Sequence, residues 1–315
     1  MFPDLILAAR HASEPSRKSV PDRYHRQMTQ LRVVLDTNVF TPQHFDLIDK
    51  SPMRELCRRG QIVPIYSGPF FEETARAYMR DKVRDALLSR WLPFICETGG
   101  RFHEDLPTIW HREVVRGTGR KVLTYMKPRV QQEMIGRIRA LPPDGSWDLI
   151  RETERERRAD ADRLIAQREI SKQMRVEVAE EVRARGLKHR RDDVAEVVKR
   201  GLVALIGRGM IERHLGCWNW RAVANRWERN PASYRYFTQF VENMTYKEVL
   251  FLTDPSAPID INAQPDLDLM TFLLDADVFV TNEKGFARRA FQDLWKPRGR
   301  VIFSSEEFAK LLHAM

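Results

Sequence analysis

The sequence predicts an α/β fold in which a parallel sheet flanked by helices is interrupted by a large helical insertion. Short branched apolar runs alternate with helical patterns near the start of the chain, and the same alternation returns near its end. The segment between these two parts contains little that resembles a strand. Because strands that alternate with helices are typical of parallel sheets, we assign both outer parts to one sheet domain. The 315 residues are enough to bury a sizeable core.

The first part of the sheet domain covers residues 31–98 and follows an N-terminal arm over residues 1–30 that has no sustained periodicity. It opens with the branched apolar run Leu31–Leu35, which is too short for a buried helix and is ended by Asp36. Such a run predicts a strand buried on both faces. We then expect a helix from Pro42 to Gly60, a strand over Gln61–Ser67 and a helix from Pro69 to about Arg90.

The second part of the sheet domain covers residues 246–315 and follows a helical insertion over residues 99–245. Within the insertion, residues 151–200 contain 15 basic and 12 acidic residues interleaved in sign, which is typical of long solvated helices. After the insertion we expect a helix over Leu267–Leu274, a strand over Asp277–Thr281, a helix from Glu283 to about Asp293, a strand over Arg300–Phe303 and a capped helix from Ser304.

Composition and missing motifs argue against several function classes. Lys and Arg number 53 against 44 Asp and Glu, and the formal charge of +9 favours polyanionic partners. The three cysteines lack the spacing of a disulfide framework or a thiolate metal site, and there is no P-loop, dinucleotide-binding or serine-nucleophile motif. No apolar run approaches the roughly 18 residues of a membrane span, and the first residues lack a signal-peptide pattern. We therefore expect a cytoplasmic protein that does not bind membranes.

Acidic residues lie just after predicted strands or near predicted helix starts. They are Asp36, Glu73, Asp266, Asp268 and Glu283. Because the carboxyl ends of parallel strands meet at one edge of a sheet, these positions converge on one crevice. Carboxylates gathered there repel one another and raise each other's pKa unless a cation neutralises them. A hard divalent ion such as Mg²⁺, which takes oxygen ligands, would do so.

Three motifs resemble a PIN domain, the fold of many metal-dependent ribonucleases. The run Val33–Phe40 is a strand followed by Asp-Thr-Asn, Glu73 follows Ser67 by six positions, and Asp266 precedes the run Asp277–Phe286. The resemblance covers residues 31–98 and 246–313. It implies a parallel sheet flanked by helices and an acidic pocket that holds Mg²⁺ or Mn²⁺.

Carried over by position, the resemblance makes Asp36 the central metal ligand, Glu73 the second acid, Asp266 the third and Glu283 the fourth. It also implies supporting residues: Thr37 or Asn38 would brace the first loop, and Asn282 would lie beside the pocket. Asp268 competes with Asp266 for the third place, and the spacing to Glu283 favours Asp266. The chain departs from the family in having Glu where the fourth acid is usually Asp, and in the size of its insertion.

The implied activity is that of a metal-dependent endoribonuclease, which hydrolyses RNA phosphodiester bonds. The same pocket could instead act on DNA or on structured nucleic acid, and an incomplete acidic cluster would leave a nucleic-acid-binding or regulatory scaffold. A homo-oligomer or an inhibitor protein could associate through the insertion. The insertion also carries a basic run suited to phosphate contact, formed by Arg112, Arg116, Arg120, Lys121, Lys127 and Arg129.

Each of these features also has an interpretation without chemistry. Asp36 and Asn38 could turn the chain and cap a helix, and Glu73 could be a favourable helix-dipole partner. Asp266 and Asp268 could be ordinary acids of a helix N-terminus. The basic run could be a solvated face. The aromatic and arginine-rich stretch 217–237 could be the packed core of the insertion or could stack on RNA bases.

Overall fold

The computed structural model describes residues 30–81, 86–99, 102–116, 122–140, 152, 155–170, 191–215, 219–253 and 259–315. The predicted N-terminal arm lies outside these residues except for Gln30. The chain divides into two compact units. Within the described ranges, the first unit comprises Met1–Asp105, Thr124–Trp147 and Leu269–Met315, and the second comprises Leu106–Leu123 and Asp148–Asp268.

A four-stranded parallel sheet forms the centre of the first unit. Its strands are β1 (Leu31–Leu35), β2 (Ile62–Ile65), β3 (Val278–Val280) and β4 (Val301–Phe303), in the order β2-β1-β3-β4. All three pairings are parallel, with Val33 opposite Pro64 and Val278, and Val278 opposite Val301. The predicted α/β fold with a parallel sheet is therefore confirmed, and the two central strands come from opposite ends of the sequence.

Helices connect and flank these strands. In chain order, the described part of the chain contains the α-helices α1 (Pro42–Asp49), α2 (Met53–Arg58), α3 (Gly68–Asp81), α4 (Leu92–Thr98), α5 (Leu106–Arg116), α6 (Pro128–Arg139), α7 (Arg191–Leu215), α8 (Trp220–Arg229), α9 (Arg235–Thr253), α10 (Ala263–Thr271), α11 (Phe286–Leu294) and α12 (Ser305–Ala314). Residues 155–170 are also helical. None of the described helices combines the length and the apolar composition that crossing a membrane requires.

The helix predicted from Pro42 to Gly60 was wrong, because the chain forms two helices there. Pro52 has no N–H for a helical hydrogen bond, and α2 starts directly after it. The Ser51 hydroxyl instead donates to the Ile48 carbonyl at 2.6 Å. Gly60, with φ 71, ends this segment as predicted.

Three helix starts also differ from the predicted positions. Helix α3 begins at Gly68 rather than at Pro69 and has no acidic residue in its first turn, so Glu73 lies just beyond that turn. Helix α10 begins at Ala263, with Pro265 tolerated in the first turn, so Asp266 lies inside the helix rather than before it, and Asp268 lies one turn further from the helix start than predicted. Helix α11 begins after Gly285, whose ψ of −125 is not helical, and Glu283 therefore lies in the preceding loop.

Apolar side chains anchor the sheet and its first helices. Val33, Val34 and Leu35 are completely buried in β1. An aromatic cluster packs Phe40 against Phe45 and Phe70, with ring centroids 5.5 and 5.2 Å apart. This packing fixes the loop after β1 and the first turn of α3 in the same core.

Every described secondary-structure element of the second unit is a helix, and the core of this unit is aromatic. Trp227, Tyr234 and Phe237 are buried, so these members of the aromatic and arginine-rich stretch belong to the packed core. Glu113 of α5 is also buried and accepts hydrogen bonds from the backbone N–H groups of Tyr236 and Phe237, at 3.2 and 2.8 Å. These N–H groups lie in the first turn of α9, where helices lack internal acceptors. Glu113 therefore caps α9 from a different helix.

Candidate active site

Asp36 lies at the carboxyl end of β1, in the middle of the sheet edge. Its backbone N–H donates to the Val280 carbonyl at 2.9 Å, and the Thr281 N–H donates to the Phe303 carbonyl at 2.9 Å. The ends of β1, β3 and β4 are therefore aligned at this edge. Ligands bind at the carboxyl edge in open parallel sheets, which makes it the candidate active site of the first unit.

The two oxygens of the Asp36 carboxylate have different environments. Oδ2 accepts hydrogen bonds from the Asn38 amide and from the Thr281 hydroxyl, both at 2.6 Å. Among the described residues, Oδ1 is approached only by the Thr37 hydroxyl at 3.4 Å and by the Asn38 N–H at 3.5 Å. Bonds of this length are weak. Oδ2 therefore anchors the side chain, and Oδ1 keeps a lone pair for a ligand.

The Asp36 carboxylate is also held in an environment unfavourable to its charge. Its side chain is only 5% exposed. Burial raises the pKa of Asp36, the nearby Glu73 charge raises it further, and the hydrogen bonds from Thr281 and Asn38 oppose part of this shift. A carboxylate that is buried beside a second acid is stabilised in its ionised form by a cation.

Glu73 is carried towards this site by α3. The helix is anchored by Phe70 and Phe71, which are buried, and by the Thr74 hydroxyl, which donates to the Phe70 carbonyl at 2.8 Å. Glu73 itself is half-buried, and its charge acts on Asp36. The structure thus brings the first two predicted acids into electrostatic contact.

Glu283 follows β3 and is linked to Asp36 through Thr281. The Glu283 N–H donates to the Thr281 hydroxyl oxygen at 3.1 Å, and the same hydroxyl donates to Asp36. The Glu283 carboxylate lies beside Gly285, since its Oε1 is 3.5 Å from the position of a Cβ built there. Gly285 precedes the first turn of α11, where the helix dipole favours a negative charge.

The third predicted acid belongs to the second unit. Asp266 is half-buried in the first turn of α10. One oxygen of Asp268 accepts a hydrogen bond from the Gln264 amide at 2.7 Å, one helical turn away. Asp268 is thus engaged locally, and the preference for Asp266 stays a prediction based on spacing.

The supporting residues have distinct roles. The Asn38 amide makes a short bond that braces Asp36, whereas the Thr37 hydroxyl makes a long one. The Asn38 amide also donates to Thr281 Oγ1 at 2.9 Å. Asn282 donates its backbone N–H to Asn38 Oδ1 at 2.9 Å, and its side chain is bonded to Ser305 rather than to an acid.

Thr281 and Ser305 were missed as site residues at the sequence level. Thr281 is 1% exposed and Ser305 is fully buried. A signal existed for Thr281, since it is a small polar residue directly after a buried strand at the edge where Asp36 lies. Ser305 offered none, because its partner Asn282 is 23 positions away.

The predicted basic run is only partly described. Arg112, in the second unit, donates to the Leu123 carbonyl at 2.9 Å. In the first unit Lys127 is exposed, and the exposed Arg129 pairs with Glu133 at 2.8 Å. Arg120 and Lys121 lie outside the described residues, and of Arg116 only the backbone is described. Phosphate contact by this run stays a prediction.

Comparisons with protein-family models, with curated proteins and with solved structures found no match to this chain. The PIN resemblance therefore depends on the three motifs alone.

The residues of this edge have the donor chemistry that a hard divalent cation requires. Asp36, Glu73 and Glu283 offer carboxylate oxygens, the ligands that Mg²⁺ and Mn²⁺ favour. Asp36 Oδ1 has no short partner among the described residues, and its neighbour Oδ2 is fixed by two hydrogen bonds. A ligand whose orientation is fixed by such hydrogen bonds is typical of metal sites.

Proposed function

We propose that this chain is a Mg²⁺- or Mn²⁺-dependent endoribonuclease with a PIN-like sheet domain. The ion would be held by Asp36, Glu73 and Glu283, and the place of Asp266 as the third acid stays a prediction from the sequence motif. The observation that carries the proposal is the Asp36 carboxylate: it is buried at the carboxyl edge of a parallel sheet, anchored through Oδ2, and left with an available Oδ1 beside the Glu73 charge.

The residues of the chain would divide the work of phosphodiester hydrolysis. The bound ion would lower the pKa of a water and stabilise the charge that develops on the phosphate oxygens. Asp36 supplies a preoriented ligand oxygen, Asn38 and Thr281 keep it from rotating, and Glu73 and Glu283 add negative charge. The net charge of +9 favours the approach of a polyanion.

The test is a cleavage panel with labelled single-stranded RNA, structured RNA and single-stranded DNA, each with Mn²⁺ or with EDTA. The proposal expects RNA cleavage that needs Mn²⁺ and is lost in Asp36→Asn. Cleavage of DNA alone would change the substrate class. Tight RNA binding without cleavage in any lane would contradict the nuclease assignment and favour a nucleic-acid-binding scaffold.

A further inference from the structure

Three loops of the first unit meet at the carboxyl edge of the sheet. They follow β1, β3 and β4, and each contributes a polar side chain: Asn38, Asn282 and Ser305. Ser305 is the first residue of α12 and is fully buried. Most buried hydroxyls in proteins have a hydrogen-bond partner, and the identity of that partner indicates what the residue does.

Ser305 and Asn282 form a closed pair of hydrogen bonds. The Asn282 amide donates to Ser305 Oγ at 2.7 Å, and the Ser305 N–H donates to Asn282 Oδ1 at 2.9 Å. Both polar ends of the Asn282 side chain are thereby used on one residue. The pair fixes the loop after β3 against the start of α12.

The pair continues towards the Asp36 carboxylate. The Asn282 N–H donates to Asn38 Oδ1 at 2.9 Å, and the Asn38 amide donates to Asp36 Oδ2 at 2.6 Å. On the other side, Asn282 directly precedes Glu283 in the chain. Ser305 is thus joined by its pair of hydrogen bonds to Asn282, the residue before Glu283. Two further hydrogen bonds lead from Asn282 through Asn38 to Asp36.

The Ser305 hydroxyl is not needed to cap its own helix. Ser304 is the N-cap of α12: its hydroxyl accepts from the Glu307 N–H at 3.2 Å, and the Glu307 carboxylate accepts from the Ser304 N–H at 2.8 Å. This capping box satisfies the helix start without Ser305. The two adjacent serines therefore have separate roles, one towards the helix and one towards the loop of Glu283.

We infer that Ser305 is a positioning residue for the metal site, which it holds in shape through Asn282. This inference rests on the proposed function, since it concerns the same carboxylates. The hydrogen bonds of Ser305 at this edge go to Asn282, so it would act through that residue rather than as a metal ligand. Its effect is to restrict the loop of Glu283 and the side chain of Asn38, so that the carboxylate oxygens stay in place when the ion binds.

The experiment measures Mn²⁺ affinity by electron paramagnetic resonance, together with the melting temperature, for the full chain and four variants. The variants are Ser305→Ala, Asn282→Ala, the double variant and Ser304→Ala. We expect Ser305→Ala and Asn282→Ala each to weaken Mn²⁺ binding about 10-fold, as losses of outer-shell partners do. Because both remove the same link, the double variant should be no weaker than the worse single one.

Ser304→Ala is the matched control. It removes a serine hydroxyl one position away and should lower the melting temperature through the lost cap, with Mn²⁺ affinity unchanged. If Ser305→Ala lowers the melting temperature but binds Mn²⁺ like the wild type, the residue is only structural and the inference is wrong. If the wild type itself shows no saturable Mn²⁺ binding, the proposed metal site fails, and the inference fails with it.

Discussion

The Thr281 hydroxyl lies 2.6 Å from Asp36 Oδ2 and joins the loops that follow the two central strands. It donates its one proton to the carboxylate and accepts from the Asn38 amide and from the Glu283 N–H, at 2.9 and 3.1 Å. All hydrogen-bonding capacity of this hydroxyl is therefore used at the candidate site. Thr281 connects the first predicted acid to the backbone of the fourth.

Thr281→Val keeps the shape of the side chain and removes these three hydrogen bonds. It should destabilise the fold by about 1 to 3 kcal/mol, since buried polar groups lose their partner. It should also weaken Mn²⁺ binding, because Asp36 loses one of its two anchors. The measurements are urea unfolding and Mn²⁺ titration.

Thr245→Val is a suitable control for this substitution. Thr245 is equally buried, lies in the second unit, and donates only to the Val241 carbonyl of its own helix. Wild-type Mn²⁺ affinity in Thr281→Val would show that Asp36 does not need the hydroxyl to bind an ion.

Asp36→Asn should raise the melting temperature when EDTA is present. Burial raises the pKa of Asp36 above its ordinary value, so its ionised form destabilises the folded chain at neutral pH. This destabilisation declines as the pH falls through the raised pKa, and the advantage of Asn should shrink accordingly. The same variant should lose any rise in melting temperature on adding Mn²⁺. An Asp36→Asn protein that melts below the wild type at neutral pH in EDTA would contradict this account of the charge.

His103 should make the first unit sensitive to mild acid. This residue is 1% exposed, and neither ring nitrogen has a hydrogen-bond partner among the described residues. The ring packs against Tyr125 and Phe272, with ring centroids 4.3 and 5.3 Å apart. Burial lowers the pKa of His103 to about 4. The unfolded chain therefore binds a proton first, and stability is lost as the pH falls from about 6.5 to about 4, by about 3 kcal/mol in total.

The check on His103 is urea unfolding across this pH range. His103→Leu should show a smaller loss of stability between the two pH values, whereas His313→Leu, at an exposed position, should lose as much as the wild type. Equal acid sensitivity in wild type and His103→Leu would show that groups other than His103 cause the loss of stability.

Two glycines of α7 should respond in opposite directions to the same substitution. A Cβ on Gly207 would overlap the Trp227 indole, which is held by its hydrogen bond to Thr238 at 3.0 Å. A Cβ on Gly209 would meet nothing within 4 Å. Gly207→Ala should therefore destabilise by about 1 to 3 kcal/mol, and Gly209→Ala should stabilise by up to about 1 kcal/mol. Calorimetry compares them, and similar effects at both positions would show that Gly207 does not pack on Trp227.

The sequence was informative where burial alone determines local structure. Val33, Val34 and Leu35 must be buried, so the strand and the position of Asp36 at its end followed from a short apolar run. The capped start of the last helix followed likewise from Ser304 and Glu307, whose bonds are local.

Features that depend on distant partners or on single backbone angles were not predictable in the same way. The break before Pro52 splits a predicted helix, and the early start of α10 places Asp266 and Asp268 deeper in their helix; periodicity does not resolve such shifts. The pair Asn282–Ser305 joins two loops that the sequence keeps 23 positions apart. Which oxygen of Asp36 is anchored depends on Thr281, 245 positions away.

The most direct test of the metal-dependent nuclease is cleavage of single-stranded RNA by wild type, Asp36→Asn and Asp277→Asn in Mn²⁺. Asp277 lies at the opposite end of β3, where its carboxylate accepts the Arg32 N–H at 3.1 Å, so the same chemical change is made on the same sheet away from the site. We predict Mn²⁺-dependent cleavage by wild type and by Asp277→Asn, and none by Asp36→Asn. Undiminished cleavage by Asp36→Asn would contradict the account.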